Sequence, residues 1–263
     1  PDPARYPALQ IAADVMEMGG LAGAAFNAAK ERALDLFIAV LTEKFPAIRS
    51  ISYLINREKD GKVNELDTVI AYGEPTLPIT LNGLRFAMSP GSFFQTNTLQ
   101  TEQLYNTAIE WCALSGSETL FDLYSGTGTI ALSAAQSAGK VLGIEFVEDA
   151  VRRARENAIS NGIHNATFIT GDLKDVIVST AVKQFGSPHV VITDPPRSGH
   201  HRDVNQALLQ LLPERIVYIS CNPRTQERDV RILSDHYRLE KIQPFDLFPH
   251  TGHVENVALL RRI

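Results

Sequence analysis

The sequence predicts an α/β fold, a mostly parallel seven-stranded sheet with helices on both faces, preceded by a small α+β lobe. Three observations carry that prediction. From Thr119 onward, short apolar runs alternate with stretches of helical periodicity, and such alternation closes into a parallel sheet covered on both sides. One of those runs, Leu120–Leu123, feeds a glycine-rich turn and then a helix, a place where backbone can approach a ligand closely. The chain has 263 residues, 44% of them hydrophobic, enough for one large domain and a smaller lobe.

The small lobe occupies residues 1–88 and opens with the alanine-rich stretch Ala22 to Phe45. Its apolar residues Leu34, Phe37, Ile38 and Leu41 fall at helical spacing, and Pro46 stops the helix. Strands are predicted over Ser50–Asn56, Thr68–Tyr72, Leu77–Leu81 and Leu84–Met88, with a polar turn at Lys59–Lys62. Asn82-Gly83 is a strong hairpin signal between the last two. The character changes at Ser89-Pro90-Gly91, which starts a second domain over residues 89–263. A helix spans Asn97 to Leu114 on the periodicity of Leu99, Leu104, Ile109 and Ala113. Strands follow at 119–124, 141–145, 167–170, 189–193 and 215–220, separated by helices near 128–137, 148–161, 173–184 and 203–212. A helix near 225–235 and strands at 237–247 and 254–261 complete the chain.

Bulk properties narrow the class. Cys112 and Cys221 are the only cysteines, too few for a disulfide framework, a four-thiolate metal site or a four-cysteine iron–sulfur cluster. This composition, with no apolar stretch near eighteen residues and no signal-peptide pattern, predicts a cytoplasmic protein without a membrane partner. A formal net charge of -5 argues against binding nucleic acid by charge alone. Arg197, Arg202, Arg224, Arg228 and Arg231 nonetheless cluster in or just after two loops at strand ends.

The candidate chemistry sits at those strand ends, where open α/β sheets hold their ligands. The apolar run Ile216 to Ile219 delivers Ser220 and Cys221 to the end of a buried strand, and Asn222-Pro223 break it before a polar helix. A lone cysteine there would more often be a small core residue. The turn Tyr124-Ser125-Gly126-Thr127-Gly128-Thr129 lacks the third glycine of a dinucleotide fingerprint. Glu145 closes the next strand, placed to accept ribose hydroxyls, and Asp172 closes the one after, where an acid can meet an adenine amino group.

These three strand ends resemble the S-adenosylmethionine site of class I, Rossmann-like methyltransferases. Four more stretches sharpen the likeness: Phe93-Phe94-Gln95-Thr96-Asn97, Thr193-Asp194-Pro195-Pro196-Arg197, Ser220-Cys221-Asn222-Pro223, and Pro249 to Val257 with Glu255. Together they resemble the RNA 5-methyluridine (uracil-C5) methyltransferase family, strongly over residues 84–263 and loosely before that. The resemblance implies Cys221 as nucleophile and Glu255 as general base. It implies cofactor contacts from Gln95, Tyr124, Gly126, Thr129, Glu145, Asp172 and Asp194, although some relatives carry asparagine where Thr129 stands. Arg197 is the candidate for lowering the thiol's pKa or for binding the target's phosphate or carbonyl. Phe94, with Phe93 and Phe248, is a candidate for stacking on an extruded base. His250 and His253 read as loop or RNA-contact residues, since no spacing supports a metal.

The implied partner is ribosomal or transfer RNA, with 23S ribosomal RNA favoured by likeness to bacterial members. Relatives commonly carry an N-terminal RNA-binding barrel and some an iron–sulfur cluster. The opening on Pro1, without methionine, reads as a piece of a longer protein whose RNA affinity would be weak and salt-dependent. The lobe 1–88 then corresponds to the family's central domain and is expected to contact RNA. Three other readings compete. A DNA cytosine-C5 methyltransferase shares the covalent logic and the Glu255-Asn256-Val257 signature. An amino-group methyltransferase would use Asp194-Pro195-Pro196 without needing Cys221. A non-catalytic RNA-binding protein could keep the cofactor pocket.

Overall fold

The computed structural model describes residues 24–54, 68–90, 94–95, 97–177 and 181–263. Contacts divide the chain into two compact units, Pro1–Ile79 with Ala87–Ser92, and Thr80–Phe86 with Phe93–Ile263.

In the first unit, helix α1 (Ala24–Lys44) is followed by strands β1 (Ser50–Leu54) and β2 (Thr68–Gly73), which pair antiparallel. Three of the four residues at helical spacing face inward: Leu34, Ile38 and Leu41 pack with Ile48, Ile51 and Ala71. Phe37 does not, and is 44% exposed. Gly73 ends β2 with φ +74, where an added Cβ would lie 1.9 Å from the Arg49 carbonyl oxygen. The expected turn at Lys59–Lys62 lies outside the described residues.

Strands β3 (Leu77–Leu81) and β4 (Leu84–Met88) form a separate two-stranded sheet. Asn82 and Gly83 turn between them with φ +50 and +76, the positive pair that a type I′ hairpin requires. The hairpin tip belongs to the second unit, where the Asn82 amide donates to Glu102 Oε1 at 2.9 Å and Leu81 and Phe86 join its core.

The second unit continues through α2 (Thr98–Cys112), β5 (Thr119–Leu123), α3 (Thr129–Ala135), β6 (Lys140–Glu145), α4 (Glu148–Ser160) and β7 (Ala166–Thr170). Then come α5 (Leu173–Val176), α6 (Val182–Phe185), β8 (Val190–Thr193), α7 (Arg202–Leu211) and β9 (Arg215–Ser220). It closes with α8 (Pro223–Leu233), β10 (Tyr237–Phe245) and β11 (Glu255–Arg262). The seven strands run in the order β10-β11-β9-β8-β5-β6-β7. β9, β8, β5, β6 and β7 are parallel, while β11 is antiparallel to both β9 and β10. Alternate residues feed two cores, as the pleat demands. Leu120, Val141, Ile192 and Val217 pack on one face with Leu104 and Trp111 of α2. Phe121, Leu142, Val191 and Ile216 pack on the other with Leu208 and Leu233.

One expectation changes, while the helix predicted over 173–184 is described only in part, as α5 and α6 with Ile177 and Ala181 in π-helical conformation between them and residues 178–180 outside the described residues. Leu99, counted toward the buried face of α2, is 64% exposed in its first turn, and Tyr105 and Trp111 fill the buried side instead.

Candidate active site

Chain order reverses between β5 and β8, so their carboxyl ends open a crevice at the sheet's switch point. β5 exits through Tyr124 at φ +63, Gly126 at +53 and Gly128 at +84. Nothing lies within 4 Å of a Cβ built on Gly126, so its backbone faces open space, whereas one on Gly128 would come within 2.8 Å of Phe168. The turn is fastened to β6: the Gly126 amide donates to Glu145 Oε2 at 3.0 Å, and the Val147 amide to Oε1 at 2.9 Å. Glu145 therefore both shapes the glycine turn and leads into α4, and further lone pairs remain on its oxygens. Parallel pairing of Glu145 with Thr170 sets Asp172, two residues on, at the neighbouring strand end. Gln95 is buried just ahead of α2. Phe94 and Phe248 are partly buried against the core of this unit, while Phe93 lies outside the described residues.

Asp194 follows β8, its amide reaching the Leu123 carbonyl at 3.4 Å. Burial, reinforced by the charge of Glu255, pushes its carboxyl up to about 7. Cys221 follows β9 and is partly exposed. Asn222 caps α8, accepting the Arg224 amide at 3.2 Å, with Pro223 in the first turn where its missing N–H costs nothing. Pairing of Asn256 with Ser220 sets the start of β11 alongside the end of β9, and the charge of Glu255, the preceding residue, acts on Cys221. Glu255 is buried, and burial raises its pKa while Arg197 opposes the rise.

Arg197 completes the constellation. Its Nη2 lies 2.9 Å from His253 Nδ1, and its carbonyl accepts from Asn222 Nδ2 at 3.1 Å and Thr225 Oγ1 at 3.2 Å. The loops after β8, β9 and before β11 are thereby tied together. Arg197 draws the Cys221 thiol down, but other contributions outweigh it. Burial pushes the thiol up, the Glu255 and Asp194 charges add to that, and a hydrogen bond from Arg197 only partly compensates. Two arginines of the loop cluster are engaged within the protein. Arg228 pairs with buried Asp229 at 2.8 Å, and Arg231 with Glu227 one turn away.

Two residues at this site went unassigned from sequence. Asp122 is fully buried in β5, and neither carboxyl oxygen has a hydrogen-bond partner of good geometry, although the Ala131 amide interacts with it weakly. Burial, then Asp194, push its pKa well up. Its signal was an acid inside an otherwise apolar strand. Tyr105 comes from α2, with its hydroxyl toward Thr129 and within the field of Asp194, Asp122 and Glu255. It looked like one more apolar residue of a helix. Among the described residues, no cluster of three or more His, Cys, Asp or Glu could hold a metal, and no helix is long and apolar enough to cross a membrane.

Comparison with known proteins places this geometry. A model of the tRNA (Uracil-5-)-methyltransferase family matches residues 42–263. A model of the DXP reductoisomerase C-terminal domain matches residues 1–76. An RNA methyltransferase of Bacteroides thetaiotaomicron is 44% identical over 234 residues, 88% of this chain and 52% of the relative. One from Porphyromonas gingivalis is 45% identical over 232 residues, 88% of this chain and 50% of the relative. The chain thus spans about half the length of the curated relatives it matches. Among solved structures, the tRNA (uracil-54, C5)-methyltransferase of Pyrococcus abyssi in complex with S-adenosyl-L-homocysteine superposes with a TM-score of 0.68. It is 34% identical, over 81% of this chain and 51% of that one.

Proposed function

The chain belongs to the tRNA (uracil-5-)-methyltransferase family, and from that premise we propose that it methylates C5 of a uridine in RNA through a transient Cys221–C6 bond. The observation that supports this reading is the β9–β11 register, whose last pair, Asn256 with Ser220, is flanked by Glu255 and Cys221, with the charges of Glu255 and Arg197 both acting on the thiol.

The residues fit S-adenosylmethionine by their chemistry. Asp122, Asp194 and Glu145 line the ends of adjacent strands, Asp122 carries buried oxygens without a hydrogen-bond partner of good geometry, and the cofactor is a sulfonium with an ammonium group. Gln95, Tyr124, the Gly126 backbone, Thr129, Glu145, Asp172 and Asp194 would hold it. Bound there, S-adenosylmethionine supplies an electrophilic methyl group to C5.

Uracil C5 becomes nucleophilic only after something adds at C6. The Cys221 thiolate forms that S–C6 bond, and the ring's π electrons move onto C5 and its carbonyl as an enolate. The Arg197 guanidinium stabilises the thiolate and is placed to meet the base carbonyl or a flanking phosphate. With a cation against Asp194, the carboxylate charge that opposes thiolate formation is offset. After methylation, Glu255 takes the C5 proton, the S–C6 bond breaks by β-elimination, and the thiolate returns. The base must be unstacked to be reached, and Phe94 and Phe248 are the aromatic residues on hand. Residues 89–263 carry the chemistry, and the lobe 1–88 contributes to RNA contact. Two free thiols fit a reducing cytoplasm.

For the RNA, 23S ribosomal RNA is the substrate favoured by likeness to bacterial members. Transfer RNA is the second reading, favoured by the family description and by the Pyrococcus abyssi enzyme. The test is trapping with 5-fluorouridine-substituted 23S fragments and tRNA. Fluorine at C5 cannot leave as a cation, so a denaturation-resistant adduct should accumulate with S-adenosylmethionine and vanish in Cys221→Ala. An adduct or methyl transfer that survives Cys221→Ala would overturn the mechanism.

A further inference from the structure

His200 belongs to none of the motifs the chemistry needs, yet it is 4% exposed and uses every polar atom it has. Gly199 precedes it at φ +75, and a Cβ there would sit 2.5 Å from Asp229 Oδ2, so a glycine lets the chain turn the imidazole inward. The His200 amide donates to Asp229 Oδ2 at 2.8 Å. Its Nδ1 lies 2.8 Å from Asn205 Oδ1, and its Nε2 lies 2.8 Å from Thr193 Oγ1. Asn205 Nδ2 donates to Asp229 Oδ1 at 3.1 Å, which leaves the amide oxygen as acceptor and assigns the proton to Nδ1. Nε2 then accepts the Thr193 hydroxyl. Burial also favours this neutral ring.

Two tyrosine rings stack with the imidazole. Tyr218 stacks at 4.6 Å between centroids and 14°, Tyr124 at 6.2 Å and 13°. Tyr218 is locked in turn, donating to Asp229 Oδ2 at 2.8 Å. Tyr124 has the left-handed φ of +63, uncommon for a bulky side chain and tolerated only when its surroundings hold it.

We propose that His200 is a positioning residue for the cofactor site: its two side-chain hydrogen bonds fix the plane of the ring, and the ring's face sets Tyr124. The inference rests on the reading of Tyr124 as a cofactor contact. Parallel offset rings at these separations attract, and without the imidazole Tyr124 loses that stacking partner.

The test is calorimetric titration of the whole chain with S-adenosylhomocysteine, alongside melting temperatures. Tyr124→Ala should weaken binding at least about 10-fold. His200→Ala should weaken it about 10-fold, and His200→Phe, which restores a ring but not its hydrogen bonds, should recover to within about 3-fold while melting lower. Tyr237→Phe is the stability control. It removes a buried hydroxyl that bonds the Pro213 carbonyl at 2.8 Å and takes no part in the stack, so it should lower melting and leave affinity unchanged. Unchanged affinity in Tyr124→Ala would sink the premise about Tyr124. A weakened Tyr124→Ala beside a normal His200→Ala would sink the inference alone. His200→Phe as weak as His200→Ala, or Tyr237→Phe weakened equally, would also overturn it.

Discussion

Asp229→Asn should be the most destabilising near-isosteric change in the second unit. Asp229 is fully buried on α8, and its two oxygens accept from five donors. Oδ2 takes the His200 amide and the Tyr218 hydroxyl, each at 2.8 Å; Oδ1 takes Asn205 Nδ2 and the Arg228 Nε and Nη2. An asparagine amide has one oxygen, so one of these positions becomes an NH₂ group. Keeping the oxygen toward Arg228 and Asn205 is the least costly choice, and it sets NH₂ against the buried His200 N–H. That orphaned donor costs about 1–3 kcal/mol, and losing a charge-assisted bond from Tyr218 a similar amount. The Arg228 pair, half exposed, adds about 1 kcal/mol at most. The sum is about 2–7 kcal/mol, or a fall on the order of 10 °C in melting temperature at this chain length. Urea denaturation at pH 7 measures it. The pH dependence is a second readout. Burial pushes the Asp229 carboxyl up, but the His200 amide, the Tyr218 hydroxyl and Arg228 outweigh it and hold the folded value below the usual range. A depressed acid contributes stability above its unfolded pKa of about 3.9 and loses it as pH falls through the folded value. The gap between wild type and Asp229→Asn should therefore narrow below about pH 4. A loss under about 1 kcal/mol at pH 7, or a gap that ignores acid, would refute this account of the network.

Four further outcomes follow from the site. Asp194 is raised to about 7, so the folded state holds its proton more tightly than the unfolded state and stability falls as pH climbs from about 4 to 7. Asp194→Asn should hence stabilise the ligand-free protein at pH 8 by about 1–3 kcal/mol while weakening S-adenosylmethionine binding; a destabilised variant at pH 8 would contradict it. In wild type, cofactor affinity should rise with pH through about 7, and a flat profile by titration calorimetry would count against Asp194 as the contact. Gly143→Ala would set a Cβ 2.4 Å from Phe168 and 2.9 Å from Ser125 Oγ, pressing on the glycine turn. A loss of about 1–3 kcal/mol with weaker cofactor binding is expected, and calorimetry on the purified variant decides. Finally, iodoacetamide should modify Cys221 alone in the native protein, because Cys112 is fully buried and burial pushes its thiol up. Mass spectrometry showing Cys112 labelled at a comparable rate would refute that.

The sequence by itself determined the sheet and the strand ends. Each parallel strand of the second unit is a short, largely apolar run closed by a polar or glycine signal, and local chemistry of that kind is readable without knowing neighbours. Tyr124, Glu145, Asp172, Asp194 and Cys221 stand out because each ends such a run. Glu255 was visible for the reverse reason, an acid heading an apolar strand. What only tertiary structure decided is which ends meet. The antiparallel insertion of β11 between β9 and β10 is a long-range pairing, and it brings the start of β11, with Glu255, alongside the end of β9 that leads into Cys221. The direction of the Cys221 shift was also beyond reach of sequence, since it sums burial with an acid and an arginine from the loop after β8 and a second acid from the start of β11. Tyr105 and His200 were hidden for one shared reason. In a helix and a loop they look like ordinary residues, and their roles arise only from what the folded chain packs against them.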